Sequence, residues 1–212
     1  MEKDVLFFHD LIGDCTVQKD SKRYSISPKF GSGFMESYMV MPGAEVIYSD
    51  VFIHNTIQKN IQSKDAFVEV TYCLNGRVEM EFMNQPAVSM EKQYISIFNG
   101  KSQLKCCDIK GEPFVGVSVV AYLPQIITSL NIMLGTLAFT EDLDLKKVFN
   151  KNGCVVTPAS QTIKHIFEEL ILLPEQYRNY LMRIKVMELL LYLIGKMEYK
   201  TNLSLFEKED KV

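Results

Sequence analysis

The stretch FVEVTYCLNGRVEMEF, residues 67–82, decides the fold class of this chain. In its first half Val68, Val70 and Tyr72 alternate with polar side chains, and the second half alternates in the same way. A period of two residues is typical of β-strands that bury one face. The halves meet at an Asn-Gly pair, residues 75–76, which tolerates positive φ at both centres of a type I′ turn. The stretch therefore predicts a β-hairpin.

Short strand-like segments continue on both sides of this hairpin. Turn-forming residues interrupt them at intervals of about 8 to 12 positions, and no helical period separates them. The other predicted strands are residues 22–26, 34–40, 45–54, 87–90, 93–98, 103–108 and 114–122. Such a series predicts a mainly β fold whose antiparallel sheet closes on itself, either a jelly roll or a similar barrel.

The period changes to that of a helix after residue 122. Helices are predicted at residues 123–134, 159–173 and 175–200. The second is expected to begin at Thr157-Pro158, since a threonine N-cap followed by proline at the first helical position is a favoured start. The predicted divisions are a barrel at 1–122, a helical segment at 123–200 and the start of a linker at 201–212.

The last predicted helix carries apolar residues on two opposite stripes. At about 100° per residue, one stripe consists of Tyr180, Ile184, Met187 and Leu191. The opposite stripe consists of Met182, Val186, Leu189 and Leu193. A helix with one buried face needs a single stripe, so this helix is expected to be packed on both sides. Either the preceding helix and the barrel cover both stripes, or one stripe packs against its twin in a homodimer.

The composition excludes several classes of protein. Of 212 residues, 47% are hydrophobic and 23% are charged, which is typical of a globular protein. With 23 basic and 26 acidic residues, the chain has a net charge of −3, which argues against binding of a nucleic-acid backbone by this chain alone. The N-terminal apolar run at residues 5–8 is too short for a secretory signal or a membrane span. Five cysteines without a CxxC pair are expected to be free thiols in a reducing cytosol.

The sequence lacks the patterns of the common catalytic sites. The three histidines, His9, His54 and His165, lie more than about forty residues apart. No nucleophile-elbow, zinc-protease, Walker or dinucleotide-binding pattern is present. We therefore predict that the chain is not an enzyme and uses no cofactor.

The region around the predicted hairpin resembles the conserved motifs of cupins. Gly76 and Glu69 match the closing glycine and the glutamate of the first cupin motif, and Gly100 matches a glycine of the second. The histidine positions of both motifs hold other residue types, among them Gln103. A divalent ion needs three or more converging donors, which Glu69 and a neutral Gln103 do not supply. The resemblance therefore implies a cupin-like barrel without a metal.

A cupin-like barrel followed by a helical pair is similar to the N-terminal regulatory half of AraC-type transcriptional regulators. The likeness lies in residues 67–82, in SVVAYLPQIITSLN at 118–131 and in YLMRIKVMELLLYLIGKMEY at 180–199. It implies that the barrel binds a small-molecule effector and that the helices form a homodimer. It also implies a cytoplasmic protein that contacts DNA only through a further C-terminal domain, without a membrane partner. Residues 201–212 are too few for a helix-turn-helix, so we expect a truncated chain.

Two alternatives for the barrel interior stay open at this stage. Hydrophobic alternation puts Val68, Val70 and Tyr72 inside, whereas the cupin likeness puts Glu69 and Thr71 inside.

The predicted polar ligand contacts are Glu69, Thr71 and Gln103, and the predicted apolar walls are Tyr48, Phe52 and Phe98. The predicted dimer contacts are Tyr180, Ile184, Met187 and Leu191. The alternative functions are a metal-independent cupin enzyme, such as an isomerase with Glu69 as its base, and a ligand-free dimerisation module with a filled barrel.

Overall fold

A computed structural model describes residues 11–54, 56–61, 67–83, 85–100, 102–109, 111–135 and 153–198. The strands of this part are β1 (Ile12–Val17), β2 (Lys22–Ile26), β3 (Gly31–Met41), β4 (Ala44–Ile53), β5 (Ile57–Ile61), β6 (Phe67–Asn75), β7 (Arg77–Phe82), β8 (Val88–Glu91), β9 (Tyr94–Asn99), β10 (Leu104–Ile109), β11 (Phe114–Tyr122) and β12 (Cys154–Pro158). The helices are α1 (Leu123–Leu134), α2 (Gln161–Ile171) and α3 (Arg178–Glu198), with a 3₁₀ turn at Glu175–Tyr177. None of the helices in this part is long and apolar enough to cross a membrane.

The predicted fold class is confirmed, because the chain is mainly β with C-terminal helices and cupin-like antiparallel sheets. The large sheet has the order β1-β2-β3-β4-β11-β6-β9-β12, and the small sheet has the order β5-β10-β7-β8. Within the described residues the two sheets share no hydrogen-bonded strand pair, so they form a sandwich whose barrel is not closed by hydrogen bonds. Apolar side chains of both sheets meet between them and form one core.

The predicted hairpin at residues 67–82 is wrong in its pairing, although both strands and the break between them are present. Strand β6 belongs to the large sheet, where it pairs with β11 and β9, and β7 pairs with β10 and β8 in the small sheet. Gly76 has φ +85°, whereas Asn75 is not among the described residues with positive φ, so no type I′ turn forms. The break is a corner between sheets, and Gly76 is required there because a Cβ would lie 2.6 Å from the Pro113 carbonyl oxygen.

The two faces of the large sheet pack against different layers. On β6, Val70 and Tyr72 belong to the core beneath the helices, and Phe67 and Cys73 belong to the core between the sheets. Since successive side chains of a strand point to opposite faces, Glu69 shares the face of Phe67 and Cys73. The alternative drawn from the cupin motif is therefore the one that the structure adopts for β6, and Val68, Val70 and Tyr72 face the helices.

The helices cover the outer face of the large sheet. Phe167 of α2 stacks on Tyr72 of β6, with the ring centroids 5.5 Å apart. Met182 and Val186 of α3 are fully buried against the same core. Lys185 of α3 forms an ion pair with Glu169 of α2, which ties the two helices to each other. The helical layer is thus a second hydrophobic core and not an appendage.

The start of α2 differs from the prediction at Thr157-Pro158. These two residues end β12, which pairs with β9 at the edge of the large sheet. The N-cap of α2 is Ser160, whose hydroxyl accepts a hydrogen bond from the backbone N–H of Ile163 at 3.4 Å. Edge strands tolerate proline, because one side of their backbone has no strand to bond. Local cap chemistry could not reveal this pairing, since the partner strand lies about sixty residues earlier.

Candidate functional site

A polar cluster lies inside the sandwich, on the interior face of the large sheet. It consists of Glu69 and Thr71 on β6 and Ser118 on β11, and we call it the interior cluster. Thr71 Oγ1 donates to Glu69 Oε1 at 3.1 Å and lies 2.7 Å from Ser118 Oγ. The positions follow from the strand register, in which Ser118 is the direct partner of Thr71. Two hydroxyls and a carboxyl therefore converge within a protein core.

The interior cluster is part of a row of hydroxyls that crosses the large sheet. Ser96 on β9 is the register partner of Thr71, and Ser37 on β3 continues the row beyond Ile47 of β4. Ser37, Thr71, Ser96 and Ser118 are all buried. The side chains of the small sheet that face this core are apolar and include Val78, Met80, Phe82 and Leu104. The wall that the large sheet contributes to the sandwich interior thus carries a row of hydroxyls among apolar side chains, and the wall of the small sheet is apolar.

The electrostatics of Glu69 are governed by its burial. Burial raises the pKa of Glu69 above its ordinary range and outweighs the hydrogen bonds from Ser118 and Thr71, which lower the pKa. Protein surrounds the carboxyl, although the residue as a whole is only half-buried. Cys154 on β12 faces the same core, and burial together with the Glu69 charge raises its pKa to about 12. A thiol in that state is a poor nucleophile.

A second carboxyl, Glu45 on β4, lies on the same interior face. Ser37 Oγ donates to Glu45 Oε2 at 3.2 Å. Burial raises the pKa of Glu45, while the Ser37 hydrogen bond and the charge of Lys22 lower it. Glu45 therefore has a nearby cation, whereas the influences that lower the pKa of Glu69 come from hydroxyls.

The predicted ligand contacts are distributed over three parts of the structure. Glu69 and Thr71 belong to the interior cluster, and Phe98 is the register partner of Glu69 on β9. Gln103 lies directly before β10 of the small sheet, where its carbonyl accepts from the Met83 N–H at 3.0 Å. The structure therefore brings Phe98 to the interior cluster and puts Gln103 on the other sheet.

Tyr48 and Phe52 do not face the interior cluster. Ile47 and Val51 point into the sandwich, so the residues that alternate with them on β4 point to the opposite face. Tyr48 donates its hydroxyl proton to the Leu170 carbonyl at 2.6 Å, beneath the helices. Phe52 shares that face of β4 and is only half-buried. The two aromatic residues were chosen by residue type, before the face of β4 could be assigned.

The interior residues that the sequence reasoning missed are serines. Ser118 stands in FVGVSVVAY, where it is the only serine or threonine of a largely apolar strand, and Ser96 stands in YISIFN. A small polar residue in a strand that is buried on both faces is a signal, because such a hydroxyl needs a partner. The signal can be used only when both faces of the strand are known to be buried, and the second face is buried because the helices pack against it.

Metal binding has no support from the described side chains. Within the ranges that the structure describes, no three His, Cys, Asp or Glu side chains are grouped closely enough to hold a metal ion. The interior cluster contributes a single carboxylate and two hydroxyls, which is a weak donor set for a transition metal. Its chemistry is better suited to hydrogen bonding with an organic molecule.

A surface cleft of about 470 Å³ lies at the far end of β6, next to the corner between the sheets. Gly76, Lys92 and Glu112 are among its lining residues. The cleft is open to solvent, and seven residues of extended chain, about 23 Å, separate Gly76 from Glu69. It is therefore distinct from the sandwich interior, and its exposed charges do not form an enclosed site.

The last helix, α3, has one buried and one exposed apolar stripe. Met182, Val186 and Leu189 are 0% exposed, whereas Tyr180 is 70% and Ile184 is 52% exposed. Leu191 is 39% exposed, and Met187 is partly buried at the edge of the helix-facing core. Within the described residues, the sheet and α2 thus cover only one of the two stripes that the sequence contains. We call Tyr180, Ile184, Met187 and Leu191 the outer stripe.

Comparison with known proteins identifies the fold but not a sequence family. No family model and no curated protein matches the sequence. The structure is similar to that of CuxR, an AraC-like transcriptional activator, with a TM-score of 0.53 and 8% identity over 97% of this chain and 66% of that chain. It is also similar to apo ToxT from Vibrio cholerae, with a TM-score of 0.51 and 16% identity over 81% of this chain and 61% of that chain.

The chain spans less than two thirds of the length of these two structures. At such low identity the likeness concerns the fold alone, and it extends over the sheets together with the helices. The resemblance that the sequence indicated is thereby confirmed at the level of the fold, and the chain has the cupin-like sandwich and helices found in AraC-type regulators.

Proposed function

We propose that this chain is the small-molecule-sensing domain of an AraC-type transcriptional regulator. In this proposal the effector binds in the sandwich interior, and the domain dimerises through α3. A further domain of the full-length protein contacts DNA in the cytoplasm, since the net charge of −3 does not suit a chain that holds phosphates itself. The chain acts as a receptor and not as an enzyme.

The observation that carries the proposal is the hydroxyl row on the interior face of the large sheet. A core that serves packing alone is apolar, because each buried hydroxyl needs a partner and contributes little burial free energy. Here Thr71, Ser118 and Glu69 lie opposite the apolar side chains of the small sheet. Small-molecule sites have this composition, with mostly apolar walls and a few convergent polar groups. The expected effector has an apolar body and one hydrogen-bonding group.

Strands β3 and β4 connect the interior to the helices in a way that supports signal transfer. On β3, Ser37 faces the interior, while the adjacent Tyr38 hydroxyl accepts a hydrogen bond from Arg178 of α3 at 3.2 Å. On β4, Tyr48 bonds to the carbonyl of Leu170 in α2. An effector that shifts these strands would therefore shift both helices. Couplings of about 1–3 kcal/mol are sufficient for regulation.

The outer stripe of α3 supports the dimer. It is an exposed apolar surface on the element whose other side is locked to the sheet, where Arg183 Nε also donates to the Val40 carbonyl at 3.1 Å. Two copies of the stripe can bury each other about a two-fold axis, as self-complementary surfaces do in most homodimers. Movement of α3 would then change the geometry of the dimer and of any domain that follows.

The dimer is tested by Ile184→Glu, which puts a charge at the centre of the outer stripe. We expect sedimentation velocity at about 50 μM to give a dimer for the unaltered chain and a monomer for the variant, because burying an unpaired carboxylate is costly. Gln161→Glu, at the exposed start of α2, is the control and should stay dimeric. A monomeric unaltered chain, or a variant that dimerises normally, would contradict the dimer.

Effector binding is tested by native mass spectrometry of the purified chain and of Thr71→Val. Thr71→Val keeps the shape of the side chain and removes the hydroxyl that links Glu69 to Ser118. We expect a small organic molecule, or binding from a metabolite mixture, in the unaltered chain and a loss of about tenfold in affinity in the variant, equivalent to one or two hydrogen bonds. An interior that binds nothing in either chain would favour the filled dimerisation module.

One observation favours a second candidate, a metal-independent cupin enzyme. A buried carboxyl of raised pKa is the kind of group that acts as a general acid or base. If the molecule recovered from the interior were converted by the chain, and if Glu69→Gln abolished that conversion while binding persisted, the enzyme would replace the receptor as the better account.

A further inference from the structure

The outer stripe of α3 has the spacing of a coiled-coil seam. Its residues follow one another at intervals of four, three and four positions, from Tyr180 to Leu191. Coiled coils repeat every seven residues, labelled a to g, and their apolar residues at a and d have these intervals. Ile184 and Leu191 occupy a, and Tyr180 and Met187 occupy d. The outer stripe therefore has the pattern of a helix that pairs side by side with another helix.

The opposite side of α3 packs on its own domain. Met182 and Leu189 at f and Val186 at c are 0% exposed in the core beneath the helices. On the outer stripe, Tyr180 and Ile184 are 70% and 52% exposed. A contiguous row of exposed apolar side chains marks a surface that another protein covers. The spacing at a and d specifies a helix as the element that covers this one.

Two charged residues flank the outer stripe, one on each side. Arg183 at g is exposed, and 43% of the side-chain surface of Glu188 at e is exposed. Arg183 Nε donates to the Val40 carbonyl at 3.1 Å, and Glu188 Oε2 accepts from Lys185 Nζ at 2.7 Å. These contacts hold both side chains beside the stripe. Because they use one atom of each side chain, the terminal nitrogens of Arg183 and the second oxygen of Glu188 can contact a partner.

These charges distinguish a parallel pair of helices from an antiparallel pair. In a parallel coiled coil a g residue contacts the e residue of the next repeat on the other helix. Arg183 then meets Glu188 of a second copy, and two-fold symmetry forms this ion pair twice. In an antiparallel pair, g residues face g residues and e residues face e residues. With the two stripes fully overlapped, Arg183 would then face Leu190 and Glu188 would face Leu181, which desolvates both charges without a partner.

We propose that α3 pairs in parallel with α3 of a second copy of this chain, with Arg183 of each copy bonded to Glu188 of the other. A surface with both members of an ion pair on opposite sides is complementary to itself, which makes a second copy the partner that fits. The inference rests on the proposed function and adds the orientation of the dimer to it. Both copies of α3 then end on the same side of the dimer, so domains that follow them emerge next to each other.

The ion pairs are tested by charge exchange. Arg183→Glu and Glu188→Lys each put like charges at both pairs of a homodimer, whereas the heterodimer of the two variants has opposite charges at both. We expect each variant alone to dimerise about tenfold more weakly than the unaltered chain, because two attractions become repulsions. Native mass spectrometry of the equimolar mixture should show the heterodimer as the main dimer. A statistical mixture of dimers would contradict the ion pairs.

The matched control for the charge exchange is the ion pair of Lys164 with Glu168 on α2. Lys164→Glu and Glu168→Lys change the same charges at the same kind of exposed pair, away from the outer stripe. Each control variant should dimerise like the unaltered chain, and their mixture should be statistical. Heterodimer preference in the control mixture as well would show that net charge, and not the pairing of Arg183 with Glu188, selects the partner.

Disulfide formation tests the orientation without changing a charge. Tyr180→Cys and Leu191→Cys are made in a Cys15→Ser background, which removes an exposed native thiol. In a parallel dimer each variant crosslinks with itself, because equal positions meet. In an antiparallel dimer with overlapped stripes, position 180 meets position 191, and equal positions lie about 16 Å apart along the helix, beyond the reach of a disulfide. Crosslinking only in the mixture of the two variants would overturn the parallel pairing.

The outcomes separate this inference from the proposed function. A dimer that crosslinks only in the mixture, with statistical charge exchange, would end the parallel pairing and leave the proposed dimer intact. A monomeric unaltered chain in sedimentation would contradict the proposed dimer and its orientation together. Circular dichroism of each variant must match that of the unaltered chain. If Arg183→Glu disturbs folding through the lost contact with the Val40 carbonyl, the crosslinks still decide the orientation.

Discussion

The two faces of the large sheet are built from different chemistry, although they alternate along the same strands. The helix-facing side carries Val70, Tyr72 and their neighbours, which pack tightly under Phe167. The interior side carries Glu69, Thr71 and a row of serines among its apolar residues. Both faces are buried, so burial by itself does not explain the difference. The helix face is thus built for stability, whereas the polar groups of the interior face supply less stability than apolar side chains would in their place.

The largest expected effect tests the stabilising face. Phe167→Ala removes a fully buried ring stacked on Tyr72, and we expect the free energy of unfolding to fall by about 3–5 kcal/mol. Phe98→Ala on the interior face should lower it by less, because Phe98 is 7% exposed whereas Phe167 is 0% exposed. Urea unfolding followed by far-UV circular dichroism measures both. An equal or larger loss for Phe98→Ala would break the contrast between the faces.

A smaller effect of opposite sign tests the polar face. Glu69 has a raised pKa in the folded chain, so between the ordinary carboxyl pKa and the raised value the folded state binds more protons than the unfolded state. The free energy of unfolding should therefore fall as pH rises through that window. Glu69→Gln should remove this pH dependence and raise the free energy of unfolding at neutral pH by an amount on the order of 1 kcal/mol.

Thermal unfolding across pH 4 to 9, about the range in which carboxyl groups of raised pKa titrate, measures the Glu69→Gln effect. Glu91→Gln, on the exposed side of β8, controls for the loss of a negative charge. A Glu69→Gln chain that is less stable than the unaltered protein at neutral pH would mean that the interior cluster contributes stability, and the two faces would then not differ in the way described.

The smallest expected effect concerns the connection between the faces. Tyr48→Phe removes the hydrogen bond to the Leu170 carbonyl and little else, so the free energy of unfolding should fall by about 1 kcal/mol. Amide hydrogen exchange near the end of α2 should become faster, while exchange in β7 stays unchanged. Faster exchange throughout the sandwich would show that β4 and α2 are not locally coupled through this contact.

Much of the fold could be predicted from local patterns, and the errors lie where a distant partner decides. The strands around residues 67–82 and the break at Gly76 were predictable because alternation and glycine conformation are local properties. The pairing of β6 with β11 was not, since it joins residues that are at least forty positions apart. The start of α2 was misplaced for the same reason, because Thr157 pairs with β9 and therefore belongs to a strand.

The candidate site shows the same division. Glu69 and Phe98 were predictable from a motif and from residue type, and the structure makes them register partners. Tyr48 was selected on residue type alone, and the register of β4 turns it toward the helices. Ser118 indicates a buried polar site only when both faces of its strand are known to be buried.

By itself the amino-acid order determined which segments extend, which coil into helices, and that α3 carries two apolar stripes. These properties depend on backbone preference and side-chain period, which act over a few residues. Tertiary structure alone decided which face of each strand meets which layer, that the break at Gly76 is a corner between sheets, and that the outer stripe of α3 stays exposed. The reason is that a strand buried on both sides has two apolar environments available, and only the arrangement of distant partners assigns a side chain to one of them.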